Sequence, residues 1–280
     1  MRHFLLLLLI FLFQDVMGSK LLRDLGRLKL QHLDGLDPDM EPPSHLTSIQ
    51  KSWYKAAVAE FARNPLQNTI EVGGKELFVL SSAEGKIYWR HEKLGTGSRG
   101  SVYRATDMKS GRQVALKHLR VTLRKEAKAE YKVIKALGLA EGEFVSKTMG
   151  IFGNDVIPMR FYPGRNLETE LKDPNSPFAK DFLYVEARKA IRRLHKAGFC
   201  HGDSNTQNFI VTPGTGRVYP IDFGHAYRWS NLEDVSLDYE KLAGDVRSEA
   251  LGHRSAEART LALNDLTSPI DHAYFRTFGR

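Results

Sequence analysis

The sequence FCHGDSNTQNFIV occupies residues 199–211, and IDFG follows at residues 221–224. Within it, residues 208–211 and 218–221 are two short β-prone runs, and the sequence TPGTG lies between them. Two such runs around a turn rich in Gly, Pro and Thr predict a hairpin. The polar residues before and after this hairpin are therefore expected to meet at one end of a small sheet.

Those polar residues are Asp203 and Asn208 at the first strand and Asp222 after the second. Oxygen donors of this kind suit Mg²⁺, and one of the carboxylates can instead accept a proton from a hydroxyl group. The stretch resembles the catalytic loop and the Asp-Phe-Gly motif of the protein-kinase-like superfamily. The resemblance implies that Asp203 is the catalytic base and that Asn208 and Asp222 bind Mg²⁺. A surface hairpin with scattered acids is the alternative.

A glycine-rich sequence, LGTGSRGSVY at residues 94–103, lies upstream. Alone it is also typical of a hairpin turn or of a dinucleotide-binding fold, in which the glycines open a helix. Here residues 102–105 and 113–119 are β-prone, so the glycines are expected between two antiparallel strands. That arrangement resembles the phosphate-covering loop of kinases, whose backbone N–H groups approach ATP.

The run Val-Ala-Leu-Lys ending at Lys117 resembles the kinase strand whose lysine holds the α- and β-phosphates. Such a lysine needs a carboxylate partner. In the predicted helix 124–137, Glu130 fits the family's register best and Glu126 is second. The alternative is that both glutamates form i,i+4 pairs with lysines on the helix surface.

Further positions complete a nucleotide site by the same resemblance. Met159 corresponds to the gatekeeper, and Phe161 lies in the segment that offers backbone groups to adenine. The alternative for the apolar positions is plain core. The full set implied to contact ATP is Leu94, Gly95, Gly97, Gly100, Val102, Ala115, Lys117, Met159, Phe161 and Ile210.

Three departures from the common kinase pattern are visible. Gly202 follows His201 where many protein kinases have Arg, and Asn205 stands where many have Lys. No Ala-Pro-Glu follows Gly224, and the remaining chain is short. The His-Gly-Asp loop also resembles small atypical kinases and phosphotransferases of the aminoglycoside and choline type. The first departure predicts activity without gating by activation-loop phosphorylation, and the second a lower rate.

The N-terminus has the layout of a signal peptide. A short basic start precedes the apolar residues 4–13, and small residues end at Gly18, after which cleavage is expected. The apolar run is short for a membrane span, so no stable span is expected after cleavage; an uncleaved signal anchor is the alternative. These features predict a secreted protein. Location in the lumen of the endoplasmic reticulum is the alternative. A single cysteine, Cys200, excludes an intramolecular disulfide and is expected to be buried.

The formal net charge is +8, but the basic residues are dispersed, so no nucleic-acid partner is expected. Helices are predicted over four main segments, each with an apolar face. The segments and their faces are 48–62 with Ile49, Trp53, Ala56, Ala57 and Phe61; 124–137 with Tyr131, Ile134 and Leu137; 177–197 with Phe182, Val185, Ile191 and Leu194; and 232–251 with Leu237, Leu242 and Val246. Two weaker helices are predicted at 20–30 and 255–266, and strands at 144–152 and 156–162.

These observations predict an α+β, two-lobed, protein-kinase-like fold, with a small antiparallel sheet in the N-lobe and a mostly helical, shortened C-lobe. The expected organisation is a signal peptide at 1–18, an extension with linker and helix at 19–68, and the kinase-like domain at 69–280, divided near residue 162. The expected activity is transfer of the γ-phosphoryl group of ATP, with Mg²⁺, to a protein Ser or Thr. The alternatives are a small hydroxyl compound as acceptor, and a secreted pseudokinase or binding module.

Overall fold

The computed structural model describes residues 41–63, 68–73, 76–81, 85–119, 124–145 and 155–251. These residues form two compact units. The first unit contains the described residues up to Arg124 together with Glu141–Arg160, and the second contains Lys125–Ala140 and the described residues from Phe161 onward. Each unit has its own hydrophobic core, and each is considered separately below.

The first unit is built on a six-stranded antiparallel sheet, whose strands are neighbours in chain order. The sheet curls because strand β3 carries register shifts between Arg90 and Gly95, and such bulges bend a strand. The α+β architecture with an antiparallel sheet is thereby confirmed. The strands are β1 Thr69–Val72, β2 Glu76–Ser81, β3 Lys86–Gly97, β4 Gly100–Asp107, β5 Gln113–Leu119 and β6 Asp155–Arg160.

Helix α1, Ser48–Arg63, packs against the β1–β2 end of this sheet. It begins with a reciprocal cap, in which Thr47 Oγ1 accepts from Gln50 N and Gln50 Oε1 accepts from Thr47 N. The predicted helix and its packing are confirmed, but the predicted face is partly wrong. Ile49 is 63% exposed, whereas Tyr54 and Val58 are buried. The reason is that strand residues far along the chain form the apolar surface on which the helix rests.

The second unit is mostly helical. Its two small sheets have the strand orders β10-β9-β7 and β11-β8. The predicted hairpin is confirmed, since β9 and β10 pair in antiparallel register. The elements are α2 Arg124–Ala136, β7 Arg165–Asn166, α3 Leu167–Lys172, α4 Lys180–Lys196, β8 Phe199–Cys200, β9 Phe209–Val211, β10 Val218–Pro220, β11 Tyr227–Arg228 and α5 Leu232–Leu251, with 3-10 turns at Thr206–Asn208 and Phe223–His225.

The core of the second unit lies between α3, α4, α5 and the β9–β10 hairpin. Ile191 and Leu242 are buried there as predicted, but Phe182, Val185 and Leu237 are exposed, and their assignment to a buried face was wrong. Helix α4 instead buries Leu183, Ala187, Ala190, Ile191 and Leu194, a continuous stripe with helical spacing.

Several predictions fall outside the described residues. They are the signal peptide and the helix at 20–30, the helix at 255–266, and most of the strand at 144–152. At the edge of that last segment, Val145 forms a bridge with Val156 of β6. Within the described part of the chain, no helix is long and apolar enough to span a bilayer.

Candidate active site

The loop between β8 and β9 carries the predicted catalytic residues. It leaves β8 at Cys200, passes through His201 and Asp203, and enters the 3-10 turn Thr206–Asn208 directly before β9. His201 is fully buried, and its Nε2 is 2.9 Å from the Ile221 carbonyl oxygen. Burial lowers the pKa of His201, so the ring is neutral at pH 7 and donates from Nε2. The ring therefore serves as a structural support of the loop.

Asp203 is held at both carboxylate oxygens. Asn208 Nδ2 donates to Oδ2 at 2.9 Å and also to the Asp203 carbonyl at 2.8 Å, while Lys241 Nζ donates to Oδ1. Burial acts to raise the pKa of Asp203, but the hydrogen bond and charge of Lys241, with the amides of Asn205 and Asn208, hold it below its ordinary value. The carboxylate is therefore ionised and fixed in direction, as an acceptor of a hydroxyl proton must be.

Asn208 also has a defined orientation. Because its Nδ2 is committed to Asp203, its side-chain oxygen is the end that can meet a cation. Its backbone carbonyl accepts from Ile221 N at 2.8 Å, which ties the catalytic loop to the residue before Asp222. The structure therefore brings Asp203 and Asn208 together and joins Asn208 to Ile221, the residue directly before Asp222, at this end of the hairpin.

Asp222 has φ 58° and ψ 72°, and it is the one described non-glycine residue with a positive φ. Asp is among the few residues that tolerate the left-handed region. The conformation lets Oδ1 accept from Gly224 N at 3.3 Å and start the turn Phe223–His225, in which Phe223 is buried. Strained backbone of this kind concentrates at functional sites.

Gly202 has a physical reason to be glycine. Its φ is +73°, and a Cβ at this position would lie 2.3 Å from the His225 carbonyl oxygen. A larger residue requires the turn after Asp222 to move. The backbone conformation at position 202 therefore favours Gly over the Arg that many protein kinases have there.

Helix α5 organises the loop through three polar residues with the spacing i, i+3 and i+7. Asp238 accepts from His201 N at 2.6 Å and Gly202 N at 3.0 Å, Lys241 pairs with Asp203, and Asp245 accepts from Thr206 N at 2.9 Å. The sequence interpretation missed all three because it followed the apolar stripe of the helix. The signal available was a polar stripe at helical spacing beside the buried leucine and valine positions.

Cys200 is buried as predicted, and its thiol lies 3.2 Å from the Asp234 carbonyl. Burial raises the pKa of Cys200 to about 12, so it is not a reactive thiol at neutral pH. Cys200, His195 and Asp238 lie close enough to share a metal ion. The Asp238 carboxylate, however, is already engaged by His195 Nε2 at 2.9 Å and by the two loop amides, so this cluster is a structural network.

In the first unit, the glycine-rich sequence forms the turn between β3 and β4, as predicted. Gly97 and Gly100 are paired across the turn. A Cβ at Gly95 or Gly97 would meet no atom within 4 Å, whereas a Cβ at Gly100 would lie 2.0 Å from the His118 carbonyl oxygen. Gly95 and Gly97 thus leave open backbone that phosphate oxygens can approach, while Gly100 allows β4 to lie close to β5.

The strand register gathers several predicted nucleotide contacts on one face of the sheet. Val102 is opposite Lys117, and Ala115 is opposite Met159. Since Ala115 and Lys117 are two residues apart on β5, all four side chains share a face. Leu94 lies further out on β3 and is exposed.

The remaining predicted residues lie in the second unit. Glu130 on α2 is 2% exposed, whereas Glu126 is exposed. The sequence analysis assigns Glu130 as the partner of Lys117, a residue of the first unit that is 4% exposed. Their pairing stays a prediction. Phe161 and Ile210 are partly buried, and Ile210 pairs with Asn166 of β7.

A comparison with protein families identifies this arrangement. The model of the protein kinase domain matches residues 88–247, more than half of the chain. The chain belongs to the protein kinase domain family. The matched region begins in β3 and ends in α5, so it includes the glycine turn, the Lys117 strand, the catalytic loop and the helix that supports it.

Curated relatives agree with this family. "Probable cell division control protein 7 homolog 2" of Encephalitozoon cuniculi (strain GB-M1) is 31% identical over 139 residues, which are 48% of this chain and 39% of that protein. "EKC/KEOPS complex subunit BUD32" of the same organism is 33% identical over 132 residues, 46% of this chain and 61% of that protein. The chain therefore spans less than two thirds of the length of these relatives.

Proposed function

We propose that this chain is an ATP-dependent phosphotransferase that transfers the γ-phosphoryl group to a hydroxyl group, with Ser or Thr of a protein as the acceptor. The observation that carries the proposal is the fixed, ionised Asp203, held by Asn208 on one oxygen and Lys241 on the other. A carboxylate aimed in this way can receive the acceptor proton. Membership of the protein kinase domain family supplies the reaction class.

The residues present fit an ATP and Mg²⁺ site. The Asn208 side-chain oxygen and the Asp222 carboxylate are oxygen donors suited to Mg²⁺, which would neutralise charge on the phosphates when bound. Gly95 and Gly97 present open backbone for phosphate approach. Val102, Ala115 and Met159 would cover the base, and Lys117 would hold the α- and β-phosphates.

The acceptor is proposed from the family, whose curated relatives are named as a cell division control protein homolog and a subunit of the EKC/KEOPS complex. Gly202 in place of Arg supports an atypical kinase without phosphorylation gating. The proposed catalytic region is 69–280, preceded by an extension at 19–68 whose helix packs on the sheet.

The proposal is tested with γ-labelled ATP, Mg²⁺ and purified residues 19–280. A mixture of basic and acidic proteins is offered first, and then a panel of small hydroxyl compounds that includes choline and an aminoglycoside. Label on protein Ser or Thr is the expected result. If only the small compounds become labelled, the acceptor is a small hydroxyl compound and not a protein Ser or Thr. No transfer under conditions in which Mg-ATP raises the melting temperature would contradict the proposal and favour a binding module.

Export is a separate part of the proposal, supported by the apolar run at residues 4–13 and the small residues that end at Gly18. The full chain is expressed in secreting cells, and the N-terminus of the product is sequenced. A product in the medium or the endoplasmic reticulum that begins at Ser19 is expected. A product in the cytosol that begins at Met1 or Arg2 would contradict export.

A further inference from the structure

A lysine outside the catalytic loop forms an ion pair with Asp203. Lys241 lies on α5, 38 residues after Asp203, and its Nζ donates to Asp203 Oδ1. The Lys241 side chain is 46% exposed and that of Asp203 is 30% exposed. The pair is thus reachable from solvent, in contrast to the buried Asp238 network on the same helix.

Many protein kinases have a lysine at the position of Asn205, but in this chain Asn205 caps a turn. Asn205 Oδ1 accepts from Gln207 N at 3.0 Å and caps the turn Thr206–Asn208. A neutral amide in a capping role supplies no positive charge. Lys241 is therefore the ammonium group next to the catalytic carboxylate in the described structure.

The position of Lys241 is fixed by its neighbours on the helix. Asp238, one turn before it, binds the amides of His201 and Gly202, and Asp245, one turn after it, binds the Thr206 amide. The catalytic loop is thus fastened to α5 on both sides of Lys241. Because an ammonium group has three N–H donors, one can hold Asp203 while the others reach a phosphate oxygen.

We propose that Lys241 is the positioning residue of Asp203 and supplies, from α5, the positive charge that Asn205 does not. The inference rests on the proposed phosphoryl transfer. In that reaction the acceptor oxygen bonds to the γ-phosphorus, the bond from phosphorus to the ADP oxygen breaks, and the acceptor proton passes to Asp203. Lys241 directs Oδ1 and offsets negative charge at the transferred group.

The test compares Lys241→Met, Lys241→Gln and Lys241→Arg with the unchanged chain in steady-state transfer from Mg-ATP to a histone and casein mixture. We expect Lys241→Met and Lys241→Gln to lower kcat by about 10- to 100-fold, with KM for ATP changed by less than about 3-fold. Lys241→Arg is expected to keep at least about a third of kcat, because it retains the charge. Gln keeps an N–H donor but has no charge. A lower kcat in Lys241→Gln therefore shows that the charge is needed in addition to the hydrogen bond.

A relocated lysine provides the sharper test. In the double variant Asn205→Lys with Lys241→Met, we expect kcat to recover at least about 5-fold over Lys241→Met. The matched control is Lys189→Met, which removes a lysine of similar exposure that pairs with Glu186 on α4. This control is expected to leave kcat unchanged. Melting temperatures of all variants identify any that fail to fold, and Lys241→Gln replaces Lys241→Met in that case.

The outcomes are distinguishable. An active chain whose Lys241→Met and Lys241→Gln variants retain kcat within about 2-fold overturns this inference and leaves the proposed function intact. Equal loss in the Met, Gln and Arg variants, without recovery by Asn205→Lys, shows a purely structural lysine and also overturns it. An unchanged chain that transfers no phosphoryl group to any acceptor removes the proposed function and this inference with it.

Discussion

At the scale of single residues, the identity of Gly202 is determined by its backbone. Its φ of +73° and the 2.3 Å approach of His225 O leave no room for a side chain. Gly214 has almost the same φ, +75°, but open space around it. The two glycines therefore separate the cost of the left-handed conformation from the cost of the steric clash.

We predict that Gly202→Ala destabilises the protein more than Gly214→Ala. The left-handed backbone alone costs an L-residue about 1–2 kcal/mol, which is the expected loss for Gly214→Ala. Gly202→Ala adds the displacement of the turn after Asp222 and should also lower the transfer rate. Urea unfolding of both variants provides the comparison. Equal losses of unfolding free energy in the two variants would show that the His225 carbonyl can move away from the new Cβ without an energetic cost.

The carboxylate of Asp238 gives a second prediction, which depends on pH. Burial acts to raise its pKa, but hydrogen bonds from His195 and the amides of His201 and Gly202 hold the pKa of Asp238 below its ordinary value. A carboxyl whose folded pKa is depressed stabilises the fold above its unfolded pKa of about 3.9, and this contribution is lost as the pH falls through the folded pKa.

We therefore predict that Asp238→Asn lowers the free energy of unfolding by about 3 kcal/mol at pH 7. The difference between the two proteins should shrink as the pH falls from 5 to 3. Denaturant unfolding at several pH values measures it. A difference that stays constant down to pH 3 would mean that the Asp238 charge contributes nothing to stability.

At the scale of elements, the glycine turn between β3 and β4 contains two kinds of glycine. Gly100 permits close packing on His118 of β5, and Gly97 borders open space. We predict that Gly100→Ala lowers the free energy of unfolding by about 1–3 kcal/mol because the strands must separate. Gly97→Ala should leave stability within about 0.5 kcal/mol but weaken Mg-ATP binding about tenfold. Thermal unfolding and nucleotide titration of both variants test this, and the reverse pattern would contradict it.

The elements also show what the sequence could and could not reveal. The hairpin and the bounds of α5 follow from local signals, namely β-prone runs around a Gly-Pro turn and a long helical segment. The buried faces do not. Phe182, Val185 and Leu237 are as apolar as their buried neighbours, and their exposure depends on which surface of the helix meets the rest of the unit.

The candidate site shows the same limit. Asp203, Asn208 and Asp222 could be predicted as site residues because motif spacing places them at one end of the hairpin. Asp238, Lys241 and Asp245 could not, because their partners lie 34 or more residues earlier in the chain. A polar stripe on a helix is usually a solvated face, and only the fold reveals that this one holds a loop.

At the scale of the whole molecule, α1 is an integral part of the first unit. Phe61 is fully buried among residues that include Phe78 of β2 and Met108, which directly follows β4, whereas Ile49 on the same helix is largely exposed. We predict that Phe61→Ala lowers the free energy of unfolding by about 3–5 kcal/mol and that Ile49→Ala changes it by less than about 0.5 kcal/mol. Denaturant unfolding of residues 41–280 tests both. A negligible effect of Phe61→Ala would show that α1 does not pack as described.

In the proposed reaction, the fixed carboxylate of Asp203 accepts the hydroxyl proton during phosphoryl transfer from Mg-ATP. The most direct test measures transfer by the unchanged chain and by Asp203→Asn at equal Mg-ATP occupancy, with occupancy set by nucleotide titration. We predict that both proteins bind Mg-ATP and that the variant transfers at least about 100-fold more slowly. Transfer at the same rate in both, or no transfer by the unchanged chain when Mg-ATP is bound, would contradict it.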